Sequence, residues 1–533
     1  MRLTNESLKD RAFWEKAGIT LPRFDRNAMI FATVATPEWL HFGAGNLFRA
    51  FPATLAQSLL EQGLLKTGVV VADRYDKETI TKCFSLYDNL SLLVTLKSDG
   101  TTDKKIIASV ASILAMSEDF AELKKNFSAP SLKMVSFTIT EKGYNVNGQN
   151  GLLPEIAEDI KNGPGASKSY MGRIASLCHE RYLNGALPLA MVSMDNCSHN
   201  GDRLFAAVET FAKCWVETGS AAAGFLDYVR NREKISFPWT MIDKITPGPD
   251  AGVRDTLAVL GLEEMESRTP GNNIFIAPFV NAEETQYLVI EDAFPNGRSA
   301  LEKAGVLFAD RETVDKVEKM KVCTCLNPLH TALAVFGCLL GYKRISDEMK
   351  DRDLVKLIEG IGYREGLPVV INPGIIDPEK FIGEVIKVRL PNPFMPDTPQ
   401  RIAADTSQKI PVRFGETLKA YNASGKNLKE LKFIPLVFAA WLRYLLGIDD
   451  QGKPFEPSPD PLYDTLAAGL TGITFGQPDQ AAIHGKLETI LSNPALFGVN
   501  LYEAGLAKQV EDHFAEMIAG PGAVRKVLSR MVD

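Results

Sequence analysis

The apolar residues of this chain change their spacing once, near position 310. Before it, short continuous apolar runs alternate with stretches of helical spacing. "TGVVVADRYD" (67–76), "LKMVSFTITEKGY" (132–144) and "ALPLAMVSMDN" (186–196) read as buried strands, and so does the run entering "HFGAGNLFRA" (41–50). "FAELKKNF" (120–127) and "SKSYMGRIASLCHERYLNG" (167–185) read as helices between them. Such alternation predicts a parallel sheet covered on both faces. After position 310 the helical period dominates, as in "RETVDKVEKMKVC" (311–323), "HTALAVFGCLLGYKRI" (330–345) and "KELKFIPLVFAAWLRYLLG" (429–447). "GIDDQGKPFEPSPDPLYD" (447–464) interrupts it as a polar, proline-rich loop. The expected organisation is an α/β domain over 1–310 and a mainly helical domain over 311–533.

Length agrees with that division, because 533 residues exceed what one hydrophobic core fills. The net charge of −7 argues against non-specific binding to nucleic acid or anionic membrane. The longest apolar runs reach only about ten residues, half of a membrane span. The opening "MRLTNESLKDRAFWEKAG" has no apolar core of a signal peptide. Seven cysteines are scattered with no C-x-x-C, which reads as reduced thiols in a cytoplasmic protein. Oligomeric state leaves no mark in the sequence, and a monomer is the expectation.

Two features carry chemistry. Gly43-x-Gly45-x-x-Phe48 follows a strand and opens a helix. The first glycine permits a tight turn, and the second lets a pyrophosphate approach the backbone. Phe48 stands where a third glycine is usual. The next strand ends in Asp73, whose carboxylate suits ribose hydroxyls and repels a 2′-phosphate. That favours NAD over NADP, although Arg74 beside it weakens the preference. The plain alternative is an ordinary strand–helix turn.

Several blocks resemble the polyol-specific long-chain dehydrogenases, the mannitol dehydrogenase family. "HFGAGNLFRA" is similar to its G-x-G-x-x-x-R-A turn, and "TITEKGY" (138–144) to its T-x-T-E-K-G-Y strand end. "SMDNCSHNG" (193–201), "FPWTMIDKITP" (237–247) and "AAWLRYLLGIDDQG" (439–452) resemble three further blocks, with Ile242 and Lys244 as departures. The resemblance implies a Rossmann-type N-terminal domain, a helical C-terminal domain and an active site between them. It implies metal-independent, NAD-linked interconversion of a secondary alcohol and a ketone. It places Gly43, Gly45, Phe48, Arg49, Asp73, Thr140 and Glu141 at the cofactor.

The second feature is "EKMKVCTCLNPLH" (318–330). Alcohol–ketone chemistry needs one proton-transfer group and donors for the developing alkoxide. Without zinc, a buried lysine can serve. By the resemblance, Lys321 is that group, Glu318 passes protons to it, Asn196 and Asn327 hold the alkoxide, and His330 touches a substrate hydroxyl. The family pattern has four residues between lysine and asparagine, whereas "VCTCL" has five. On a straight helix Lys321 and His330 would then be about 900° apart, on opposite faces. A π-bulge, a helix restarting at Asn327-Pro328, or Lys319 as the base would each resolve this. The bland reading is that Lys319 and Lys321 are surface residues.

"RIAADTSQKIPVR" (401–413) resembles the family's R…K pair, with Arg401 and Lys409 holding the far end of the substrate. A salt-bridged loop is the alternative. Asp243 lines the cleft or ties the domains together. With Arg413, the stretch offers several cations, which favours a sugar acid over a neutral polyol. The expected reaction reduces D-fructuronate to D-mannonate, with a polyol such as mannitol or a tagaturonate-type acid as the alternative. A non-catalytic dinucleotide sensor would need no Lys–Asn–His set. A zinc enzyme using Cys323, Cys325 and His330 would have an unusual C-x-C-x4-H spacing. The remaining histidines have no partners at metal-ligand spacing.

Overall fold

A computed structural model describes residues 1–149, 151–268 and 275–533. By its contacts the chain divides into two compact units: Met1–Lys97 with Thr101–Asp315, and Lys316–Asp533 with Ser98–Gly100.

The first unit is built on a six-stranded sheet. Its strands are β1 (Trp39–Phe42), β2 (Val69–Asp73), β3 (Val110–Ala115), β4 (Met134–Phe137), β5 (Leu189–Ser193) and β6 (Ile235–Ser236). They lie in the order β3-β2-β1-β4-β5-β6, every pair parallel. This is the Rossmann order, and its switch point falls between β1 and β4. Alternate side chains go to opposite faces. Trp39, Val69, Val71 and Met134 enter one apolar cluster; Leu40, Phe42, Val70, Ala72, Val135 and Phe137 enter the other. Both clusters are covered, which is why "VVVAD" reads as continuous rather than alternating.

β3 and β6 carry no distinct strand signal in the sequence. The hairpin of Ser91–Leu96 with Thr102–Ile107 was also not anticipated; with Phe279–Glu283 and Ile19–Thr20 it forms a second, four-stranded sheet. Beneath β4 and β5, Arg181 is 0% exposed. Its guanidinium donates to the carbonyls of Phe127, Ala129, Leu132, Leu187 and Pro188 at 2.6–3.2 Å. One side chain thereby satisfies loop carbonyls that would otherwise be buried unpaired.

The second unit is helical. Asn327–Leu340 and Phe433–Tyr444 pack together, and both are apolar nearly all round, as suits helices at the centre of a domain. The run Arg311–Leu340 is long and apolar enough to cross a membrane by composition, but 78% of that window is buried inside the protein, the state of a core helix. Three segments are π-helical: Lys321–Cys325, Gly360–Gly366 and Val385–Arg389. Glu365, in the second of them, accepts from the amides of Lys432, Phe433 and Ile434 and so caps the Phe433–Tyr444 helix from outside it. Asp450, in the polar loop, does the same for the last helix, accepting from Val524 at 2.8 Å.

Burial lowers the pKa of His41, His179, His330 and His513, those of His41 and His330 to about 3. At these rings the unfolded chain therefore binds more protons than the folded one as pH falls below about 6.5, and their contribution to stability is lost in that direction. Glu348, whose carboxyl burial raises to about 10, acts in the opposite sense over the same range, so the direct check is the titration of the rings themselves. By NMR the ring signals of His41 and His330 are expected to stay put between pH 7 and pH 5.5; a titrating shift in either would contradict its burial as a neutral group.

Candidate active site

In the first unit the carboxyl ends of β1, β2 and β4 surround a cavity of about 290 Å³ lined by Gly43, Gly45, Asp73, Arg74, Thr138, Thr140 and Tyr170. Gly43 has φ +110°, and a Cβ there would stand 2.3 Å from the Thr138 carbonyl oxygen, so only glycine fits the turn. Around Gly45 a Cβ would meet nothing within 4 Å, leaving open room at the backbone. Asp73 Oδ2 accepts the Ala44 amide at 2.6 Å, so the acid ending β2 fastens the glycine turn after β1. Burial raises the Asp73 pKa, and this amide bond opposes the rise.

The other wall is held by Asp195. It accepts the Ile139 and Thr140 amides, each at 2.9 Å, and the Tyr144 hydroxyl at 2.5 Å. Thr140 sits at φ +66°, a conformation costing a non-glycine residue about 1–3 kcal/mol, and the Asp195 bonds hold it there. Asn200 closes the same loop against Thr240. Tyr170 was not anticipated from sequence. Its hydroxyl is buried without a hydrogen-bond partner and its ring lines the cavity.

Three of the expected cofactor residues turn their side chains away from this cavity. Phe48 is fully buried and stacked on His41 at 4.1 Å, so the side chain replacing the third glycine supports the turn from beneath. Arg49 is also buried, its guanidinium bonded to the Ala277 carbonyl at 2.7 Å and to Asn46 Oδ1 at 2.8 Å. Glu141 points to the surface, paired with Arg203 at 2.9 Å. A dinucleotide fits what remains: a glycine cradle, open space at Gly45, an acid at the end of β2 and an unpartnered hydroxyl. Elsewhere in this unit, Asn196 is exposed just beyond β5, and Asp243 is buried at the end of the strand Thr240–Asp243.

In the second unit the extra residue of "VCTCL" is taken up by the π-turn. The Leu326 amide donates to the Lys321 carbonyl at 3.1 Å, five residues back. Pro328 has no amide to give, so the regular ladder could not have continued through it. The α-helix restarts at Asn327, with Leu326 rather than Asn327 as N-cap, and Pro328 in its first turn. Absorbing one residue brings Lys321 and His330 to about 80° apart instead of about 180°. Lys321 is 4% exposed, whereas Lys319 lies on the exposed side. Glu318 stands one turn before Lys321 and is half-buried. Cys325 is buried, its thiol pushed well above the usual range by burial, which suits packing rather than a thiolate ligand.

His330 is held neutral by burial first, and then by Arg413, Arg389, Arg401 and Lys409. Its Nε2 is 3.5 Å from Asp397 Oδ2, too long for a firm hydrogen bond. Arg401 is exposed and paired with Asp397. Lys409 donates to the carbonyls of Ile402, at 2.9 Å, and Ala404; burial lowers its pKa to about 8. Arg389 ends the third π-segment and is buried.

The mannitol dehydrogenase Rossmann domain matches residues 37–266, and the mannitol dehydrogenase C-terminal domain matches residues 313–518. The D-mannonate oxidoreductase of Thermotoga maritima is 52% identical over all of this chain and 99% of its own length. The polyol:NADP oxidoreductase of Gluconobacter oxydans is 28% identical over 86% of this chain and 88% of its own. Among solved structures, a substrate-free D-sorbitol dehydrogenase superimposes with TM-score 0.79 at 25% identity, covering 96% of this chain and 97% of that one. Mannitol 2-dehydrogenase of Pseudomonas fluorescens, in complex with NAD and D-mannitol, gives 0.68 at 25% identity over 99% of both chains. With both domains present in order and half its residues shared with one relative end to end, this chain belongs to the mannitol dehydrogenase family.

Proposed function

We propose that the protein is an NAD-linked oxidoreductase that interconverts D-fructuronate and D-mannonate. The observation that carries the substrate class is the set of four cations bearing on His330, in a chain half-identical to a D-mannonate oxidoreductase. Arg401 already pairs with Asp397, but among the described residues Arg413 has no carboxylate partner, and a neutral polyol would not supply one. The solved D-sorbitol and mannitol dehydrogenases are the grounds for a second reading, a polyol dehydrogenase on the same fold.

Bound NADH supplies the hydride for the ketone carbon. The chain's own groups supply the rest. Lys321 Nζ gives the proton to the carbonyl oxygen and takes it back in the oxidative direction. Glu318, three residues before it on the same helical face, is placed to renew that proton from solvent. The side-chain amide of Asn327 donates to the oxygen as its charge develops. His330, being neutral, meets a substrate hydroxyl as a hydrogen-bond partner without adding charge. Arg401 and Lys409 shape the far end of the site. Gly43, Gly45, Asp73 and Thr140 receive the dinucleotide, with Tyr170 offering its hydroxyl.

An NADH-oxidation screen over fructuronate, tagaturonate, fructose and xylulose tests the substrate. Fructuronate is expected to react fastest; turnover of fructose without fructuronate would overturn the choice. Lys321→Ala is expected to lower turnover by about 10²–10⁴-fold while NADH binding, read by fluorescence, persists. Lys319→Ala should stay near the unmodified rate, and the reverse pattern would move the base to Lys319. Tyr170→Phe removes a hydroxyl that has no partner among the described residues, so its fold should be unharmed. Its Kd for NADH is expected to rise about tenfold, the loss of one hydrogen bond. An unchanged Kd would take Tyr170 out of the cofactor site.

A further inference from the structure

The three cations of the 401–413 stretch are not equivalent. The Arg401 guanidinium already has a carboxylate, that of Asp397. The Lys409 ammonium is committed to the Ile402 and Ala404 carbonyls and feels Asp405 and Asp460 besides. Arg413 differs from both. It ends the helix Thr406–Arg413, and its Nη1 donates to Thr331 Oγ1 at 2.6 Å and reaches the Asn327 carbonyl at 3.5 Å. It therefore lies against the first turn of the helix that carries Asn327 and His330. Its partners there are neutral. Among the described residues no carboxylate forms an ion pair with it, and burial alone acts on its pKa, lowering it to about 10.

A largely buried guanidinium without a counter-charge is unfavourable unless an anion arrives to complete it. Nη1 uses one edge of the planar fork on Thr331 and Asn327. The Nε and Nη2 donors form the other edge, whose geometry matches a carboxylate two-to-two. We propose that Arg413 is the residue that selects a substrate bearing a carboxylate over a neutral polyol, by pairing with that carboxylate when the substrate binds. This rests on the sugar-acid reading and assigns its selectivity to one side chain. On this assignment Arg401 and Lys409 shape the loop, and Arg413 recognises the charge.

The competing role is structural: Arg413 props Thr331 and the Asn327 turn and never meets substrate. Initial rates with fructuronate and with fructose separate the two, measured on full-length Arg413→Gln and Arg413→Lys. Melting temperature and the NADH Kd serve as checks that the variants fold. The expected result for Arg413→Gln is a KM for fructuronate raised at least 100-fold with kcat changed far less. The ratio of kcat/KM for the acid to that for the ketose should collapse by a similar factor. Arg413→Lys should recover part of the loss, since a point charge replaces the fork. Parallel losses on both substrates, or a fall in kcat at constant KM, would overturn the proposal while leaving the sugar-acid reading intact. An unmodified enzyme that turns over fructose and ignores fructuronate would overturn both.

Discussion

The hydrogen bond from the Leu326 amide to the Lys321 carbonyl decides which way the buried lysine of the second unit faces. It reaches back five residues instead of four, and that extra step has two effects. It turns the buried lysine toward the helical face of His330, and it hands the chain to a new helix in which Pro328 costs nothing. A regular helix would have set lysine and histidine back to back and pressed the proline ring against a carbonyl. One main-chain bond thus reconciles a proline, an odd spacer and a buried cation.

Carboxylates do comparable work in the first unit, at the ends of the parallel strands. Asp73 holds the glycine turn of the strand beside its own. Asp195 holds the strained Thr140 turn that follows β4. In each case an acid at the end of one strand accepts main-chain amides from the next loop. The loops that surround the dinucleotide cavity are therefore fixed to each other before any ligand arrives, so less ordering has to be paid for on binding. Tyr170 is left with an unspent hydroxyl in a neighbourhood where nearly every other polar group is used.

Much of this was legible in the amino-acid sequence. The strands β1, β2, β4 and β5 announce themselves as apolar runs because both their faces are covered. The glycine turn and Asp73 follow from spacing, and the five-residue spacer flagged a π-bulge as one of three outcomes. What stayed hidden depends on partners distant in sequence. Phe48 and Arg49 sit in a motif read as a contact surface, but a helix shows the ligand only one side, and theirs faces the core. Tyr170 and Arg389 carry no local pattern; their placement comes from what packs around them. β6 is two residues long and is paired only along β5, too short for any periodicity.

Asp450 ties the Asn327–Leu340 helix to the helix Ala523–Val532. Its amide donates to the Leu339 carbonyl, at the far end of the helix begun by Asn327; its carbonyl receives the Gly522 amide; and its carboxylate receives those of Val524 and Arg525. It is 3% exposed. The shared family domain stops at residue 518, four positions short of these donors. A chain trimmed to that conserved block would keep every residue of the proposed chemistry yet strand a buried carboxylate at the foot of the helix that bears it. The helix Ala523–Val532, which no active-site argument would select, is the latch that holds the Asn327–Leu340 helix from behind.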